Sequence, residues 1–356
     1  MKLLIKKLFG SLPYKYKYFL YDIHKFIKNS PKFLKYYSKD LSEVGMIGNS
    51  ILLESSGNCQ LKCPSCSIGR WSNARKFIGK GYLKFEDFKK FVDKNSSIKN
   101  IELSNWGEVF LNPELKDIIK YSYDKKINLI ARNGVNLNNT NKEVLEYLVK
   151  YKFRYITISI DGATNNIYRV YRRGGDLNRV IENIKTINFY KKRYNSEFPI
   201  LSWQFIIMGH NEYELPIARK KAKELNMIFL PKLSAFPSIF PIKDEEFVKR
   251  ESGLGVGSKD EFRKKYKRNY LACKQFWISP QINWDGRLLG CCLNMCGDFG
   301  NVFESSLDEC LKSEKYIYAK KMLLGKEKAR EDIACSKCWA YKEILKNPLK
   351  KKDIII

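Results

Sequence analysis

The 356-residue chain has no run of about 18 apolar residues, which excludes a transmembrane helix. No cleaved secretion signal is expected at its start either. In MKLLIKKLFG, Lys6 and Lys7 interrupt any continuous apolar stretch. A cytoplasmic protein is therefore expected. Acidic residues are scarce: 38 Asp+Glu face 66 Lys+Arg, a net charge of +28. Such a field steers anionic partners, whether phosphates, acidic glycans, nucleic acid or anionic membranes. Arginine is scarce too, at 15 of those 66. The lysine excess, together with abundant Asn, Ile and Tyr, reads equally as a compositional bias on a solvated surface. Specific nucleic-acid binding is not expected. With 44% hydrophobic and 29% charged residues, wholesale disorder is excluded. The length allows two or three domains.

Cysteine is missing from the whole middle of the chain. The ten fall in two groups: Cys59, Cys63 and Cys66, then Cys273, Cys291, Cys292, Cys296, Cys310, Cys335 and Cys338. Disulfide scaffolds are small and secreted. In an intracellular chain of this size, such clusters point to metal.

Residues 1–46 form a basic, aromatic extension. Phe19, Ile23, Phe26 and Ile27 fall at helical spacing, so an amphipathic helix is expected, packed on its own protein or lying on an anionic surface. Residues 47–232 alternate strand and helix signals. Strands are expected at Ile51–Leu53, Ile101–Leu103, Ile127–Ala131, Tyr155–Ile160, Leu201–Met208 and Ile228–Leu230, with helices between them. Six βα repeats predict an α/β fold with a parallel sheet, built as a partial (β/α)6 TIM-like barrel. Its chemistry belongs beyond the C-terminal strand ends. Polar, glycine-containing turns follow those ends: Asn58-Cys59, Gly107-Glu108, Asn133-Gly134 and Asp161-Gly162. Residues 233–270 read as a linker or lid. Their GLGVG lacks both a preceding strand and a following Gly-Lys-Ser/Thr, so it does not make a phosphate loop. Residues 271–345 hold the second cysteine group, and 346–356 read as a frayed basic tail.

Cys59, Cys63 and Cys66 are spaced Cys-x3-Cys-x2-Cys. Three thiolates on one loop can hold three irons of a [4Fe–4S] cluster and leave the fourth open. A zinc site would need a fourth ligand close by, and none is evident. This motif, on the loop after the first strand, resembles the radical S-adenosylmethionine (SAM) superfamily over about residues 48–345. Asn105-Trp106-Gly107-Glu108 resembles that family's Gly-Gly-Glu motif, with Trp106 in place of the first glycine. The resemblance implies that Gly107 and Glu108 bind the SAM amino group. It implies SAM contacts for Asn133, Ser159, Asp161 and Gln204, and a carboxylate contact for Arg172 within Tyr171-Arg172-Arg173-Gly174-Gly175. Asn211-x2-Glu214 fits the same group. Ser65 departs from it, since an aromatic residue is common there.

The second group resembles the SPASM or twitch extension of these enzymes. By that resemblance, Cys273, Cys291, Cys335 and Cys338 hold one auxiliary [4Fe–4S] cluster; a zinc ribbon remains the alternative. The segment Ile282–Arg287 is expected as a hairpin around Asp285-Gly286. Cys292 is an alternative ligand to Cys291. Cys296 is a candidate hydrogen-atom donor, and Cys292 and Cys310 are further spare thiols. Burial as small hydrophobes is the other reading for all three. The resemblance implies reductive cleavage of SAM to a 5′-deoxyadenosyl radical, which takes a carbon-bound hydrogen from substrate. Oxidation or epimerisation of a small or carbohydrate substrate, anionic in view of the charge, is the first expectation. A peptide-modifying maturase is the second. A nucleic-acid or membrane-binding protein with structural clusters is the third. A reductant such as flavodoxin or ferredoxin is implied.

Overall fold

Long buried strand runs and one-sided helices set the architecture. In the computed structural model, which describes residues 40–70, 72–266 and 272–355, six strands run in chain order across one sheet. They are β1 (Ser50–Leu53), β2 (Asn100–Glu102), β3 (Asn128–Val135), β4 (Tyr155–Ser159), β5 (Ile200–Ile207) and β6 (Ile228–Leu233). Every pairing is parallel, as in Ile51↔Ile101, Ile101↔Leu129 and Thr157↔Ser202. The connecting helices are amphipathic. Phe85–Lys94 buries Phe88, Phe91 and Val92, and Leu177–Arg193 buries Leu177, Val180, Ile184 and Ile187. These faces lie on the sheet and force the crossovers that a parallel sheet needs. Asn141 caps Lys142–Lys150 by accepting the Val144 N–H at 2.8 Å.

A seventh strand comes from the second cysteine region. β7 (Gln281–Ile282) pairs in parallel with β1, giving the order β6-β5-β4-β3-β2-β1-β7. The sheet is open, so the barrel is partial. Sequence periodicity cannot reveal a two-residue strand. The expected hairpin comes next in the chain: Asn283 donates to the Arg287 carbonyl at 2.9 Å around Asp285-Gly286. The two regions also share a packing contact. The indole of Trp284 lies against Gly57, Gly79 and Gly81, where a Cβ would come within 3.3 Å of it at each position.

Three expectations need revision. β3 does not stop before Asn133-Gly134 but runs through it to Val135, with a register shift after Ala131. Residues 233–270 are not a bare linker. They contain the helices Glu245–Ser252 and Lys259–Tyr266, and Val248 is fully buried. In GLGVG, Gly253 caps the first of these in the left-handed conformation, φ 74°. The C-terminal tail is not frayed: Leu349 and Ile354 are buried, and a helix covers Lys351–Ile355. The amphipathic stripe Phe19–Ile27 lies outside the described residues. Residues 41–44 are clamped to the second cysteine region, since Trp277 Nε1 donates to the Leu41 carbonyl and Lys320 Nζ to that of Val44, each at 2.6 Å. Among the described residues, no helix is long and apolar enough to cross a membrane.

Candidate active site

The loop after β1 brings Cys59, Cys63 and Cys66 together at the C-terminal end of the sheet. Cys63 is buried and the other two are half-buried. N–H donors point at their sulfurs. Asn136 Nδ2 lies 3.7 Å from Cys59 Sγ, and Arg172 Nη1 lies 3.9 Å from Cys63 Sγ. Such donors suit thiolates. Burial pushes the Cys59 thiol up to about 12, with the charge of Glu108 adding to it. A thiol in this setting ionises only beside a cation, which an iron cluster supplies. Tyr171 explains the Ser65 departure in part: its hydroxyl shares a hydrogen bond with Ser65 Oγ, so an aromatic ring braces this loop from another element.

The motif after β2 presses on that loop. Gly107 packs so closely that a Cβ there would sit 2.0 Å from the Ser56 carbonyl oxygen. The Glu108 N–H donates to the Asn58 carbonyl at 2.7 Å. Its carboxylate is buried and accepts N–H bonds from Asn136 at 2.7 Å and Phe110 at 3.3 Å. Burial raises it to about 7. Glu54 was not singled out from sequence, yet it anchors the motif. Its carboxylate accepts the backbone N–H of Trp106 at 3.0 Å and of Gly107 at 3.1 Å. Burial lifts it to about 8 against the pull of those bonds. The available signal was a carboxylate placed directly after the apolar run Ile51–Leu53.

Asn133 Nδ2 donates to the Ser104 carbonyl at 2.7 Å, beside the end of β2. Ser159 and Gln204 face each other across β4 and β5, with Gln204 Nε2 donating to Ser159 Oγ at 3.2 Å. Asp161 is fully buried. Its Oδ2 accepts from Arg172 Nε at 2.7 Å and Nη2 at 2.6 Å, and its Oδ1 from the Ile206 N–H at 2.7 Å. Arg172 thus links Asp161 to Cys63. Asn211 and Glu214 brace the same turn: Asn211 Nδ2 donates to the Asp161 carbonyl, and Glu214 accepts the Ala163 N–H.

Removing one partner of a buried ion pair strands the other. The substitution Asp161→Asn is therefore expected to lower stability by about 3 kcal/mol, read as a reduced urea midpoint, because Arg172 loses its counter-charge. An unchanged midpoint would mean that Arg172 does not depend on Asp161.

In the second group, Cys273, Cys291, Cys335 and Cys338 line one small internal void with Phe276 and Tyr341. Burial pushes Cys273 up to about 12, and the charges of Cys338 and Cys292 add to it. Cys335 is raised by burial and by Cys273, Cys338 and Cys296. The candidate ligands therefore lie close enough to act on one another's charge. Both donor sets consist of cysteine thiols, the ligand type that [4Fe–4S] clusters take. The donor sets fit clusters. Cys296 is exposed and lies on the Cys335–Cys338 side. Cys292 faces the barrel junction through its backbone: Asn105 Nδ2 donates to its carbonyl at 3.2 Å. Cys310 is buried among apolar residues.

A parallel partial barrel with thiols at its mouth, joined to a four-cysteine module, defines a class of iron–sulfur enzymes that includes SAM-cleaving ones. The radical SAM superfamily model matches residues 53–214, and the SPASM iron–sulfur cluster-binding domain model matches 273–339. Together they cover more than half of the chain. The protein belongs to the radical SAM superfamily and carries a SPASM domain. Its cofactors are accordingly SAM, a [4Fe–4S] cluster and auxiliary iron–sulfur.

A cysteine-type anaerobic sulfatase-maturating enzyme of Clostridium novyi is 25% identical over 157 residues, 41% of each chain. The match thus spans well under two thirds of that relative. Among solved structures, SuiB of Streptococcus suis bound to S-adenosylmethionine superposes with a TM-score of 0.60 at 13% identity, over 92% of this chain and 79% of that one. SuiB bound to its precursor peptide SuiA gives 0.59 at 14%, over 92% and 77%. At these identities the likeness establishes the fold.

Proposed function

We infer that this radical SAM enzyme oxidises its substrate, a small or carbohydrate molecule, by removing a carbon-bound hydrogen. When bound, the open-iron cluster supplies an electron to SAM, and SAM supplies the 5′-deoxyadenosyl radical that takes the hydrogen. Cys59, Cys63 and Cys66 hold that cluster, while Cys273, Cys291, Cys335 and Cys338 hold one auxiliary cluster. Gly107 and Glu108 meet the SAM amino group, and Asn133, Ser159 and Gln204 line its berth. Asp161 positions Arg172 beside Cys63. A small electron carrier such as flavodoxin or ferredoxin provides the reductant.

The observation that supports the oxidation reading is the four-cysteine auxiliary site, with Cys296 acting on that site's thiols. An epimerase needs a thiol that returns a hydrogen atom at the radical site. Cys296 is exposed, and its charge acts on Cys335 and Cys338 in the auxiliary module. A four-thiol auxiliary site suits removal of the second electron.

A second reading, a peptide-modifying maturase, is favoured by the sulfatase-maturating enzyme and SuiB. One matures sulfatases, and the other is seen with a precursor peptide.

The test is anaerobic. The reconstituted protein is expected to bind about eight irons and, with dithionite, to convert SAM to 5′-deoxyadenosine. Loaded clusters without cleavage, under an active reductant and with candidate substrates present, would sink the reading. Deuterium moving from a sugar into deoxyadenosine would favour the first reading. Deuterium moving from a short peptide encoded next to the enzyme would favour the second.

A further inference from the structure

Lys232 stands on the inner face of β6. The register Ser159↔Gln204↔Leu230 puts those three side chains on one face, and Lys232 comes two residues after Leu230, opposite Ile206. Its Nζ donates to Gln204 Oε1 at 2.5 Å, and Gln204 Nε2 donates onward to Ser159 Oγ. A cation thus ends a hydrogen-bonded row across three strands, next to residues assigned to SAM.

An ammonium group has three donors, and Gln204 uses one. Orienting the Gln204 amide therefore accounts for only part of what this lysine offers. Lys232 makes no ion pair among the described residues. Asp161 is the acidic group whose charge it feels, and both Asp161 oxygens are taken, by Arg172 and by the Ile206 N–H. The side chain is exposed by area, yet surrounding protein lowers its pKa. Keeping a cation there without a counter-charge is unfavourable, and an entering anion removes the imbalance.

We propose that Lys232 binds an anionic oxygen group, a carboxylate or a phosphate, on the substrate that enters the barrel. The inference rests on the radical SAM reading of the function and narrows its substrate class to acidic molecules. SAM also carries a carboxylate, so the test must separate the two sources.

Inorganic phosphate and acetate serve as probes, titrated calorimetrically into cluster-loaded protein saturated with SAM. At least one should bind saturably. Lys232→Met should weaken it by about tenfold or more, and Lys232→Arg should keep it. Iron content and circular dichroism check that both variants fold. No binding of either anion to the wild type, or equal binding by Lys232→Met, overturns the proposal. The cofactor arm compares SAM with 5′-methylthioadenosine, which lacks the carboxylate. If Lys232→Met loses affinity for SAM alone, the lysine serves the cofactor and the proposal fails. Failure of the underlying reading is separately visible, as absence of deoxyadenosine from the wild type.

Discussion

Replacing Cys63 by Ala is expected to abolish 5′-deoxyadenosine formation while leaving about four of the expected eight irons in place. Cys63 is the most enclosed of the three loop thiols and the one that Arg172 approaches. Losing a partner that merely orients a metal ligand costs about 10–100-fold, so losing the ligand itself should cost about a thousandfold or more. The companion change Cys273→Ala should also remove iron, but from the auxiliary site, and SAM cleavage should survive it. Iron analysis with a deoxyadenosine assay separates the two. If Cys63→Ala still cleaved SAM, another residue would be the third ligand. If Cys273→Ala abolished cleavage as well, the two sites would not be independent.

Much of this site could be read from the chain because its residues are close in sequence. Spacings of x3 and x2 confine three thiols to one loop, whatever surrounds them. The strands were legible for a related reason: Tyr155–Ser159 is buried throughout, which a parallel sheet covered on both faces requires. The missed residues depend on contacts between distant segments. Lys232 gains meaning only through its register with β5, and no local pattern marks it. Glu54 matters because the peptide of Gly107, more than fifty residues away, delivers an N–H to it. β7 escaped because two residues carry no periodicity. Asn211 and Glu214 were legible as a motif but not by role. They hold the turn beneath Asp161, and only the hydrogen bonds reveal it.

Gly107→Ala should damage the site more than any other single methyl group added there. The new Cβ would lie 2.0 Å from the Ser56 carbonyl oxygen, 2.7 Å from its carbon and 2.8 Å from the Asn58 carbonyl oxygen. All three are backbone atoms, so no side chain can swing aside. One of the two strands of chain must move. The motif side is pinned by Glu54 through the Trp106 and Gly107 amides, and by the Glu108 N–H on Asn58. The other side, Ser56–Asn58, runs directly into Cys59. Overpacking of this kind costs about 1–3 kcal/mol, and here the strain falls on the loop that holds the thiols. SAM affinity is expected to fall about tenfold or more, equivalent to about 1.4 kcal/mol, and the open-iron cluster to be lost faster to a chelator. Gly45→Ala is the control, because nothing lies within 4 Å of a Cβ there. It should leave SAM affinity and iron retention unchanged. Equal behaviour of the two variants would show that the Gly107 contact does not govern the site, whereas loss in Gly107→Ala alone would tie SAM binding to the close approach of these two loops.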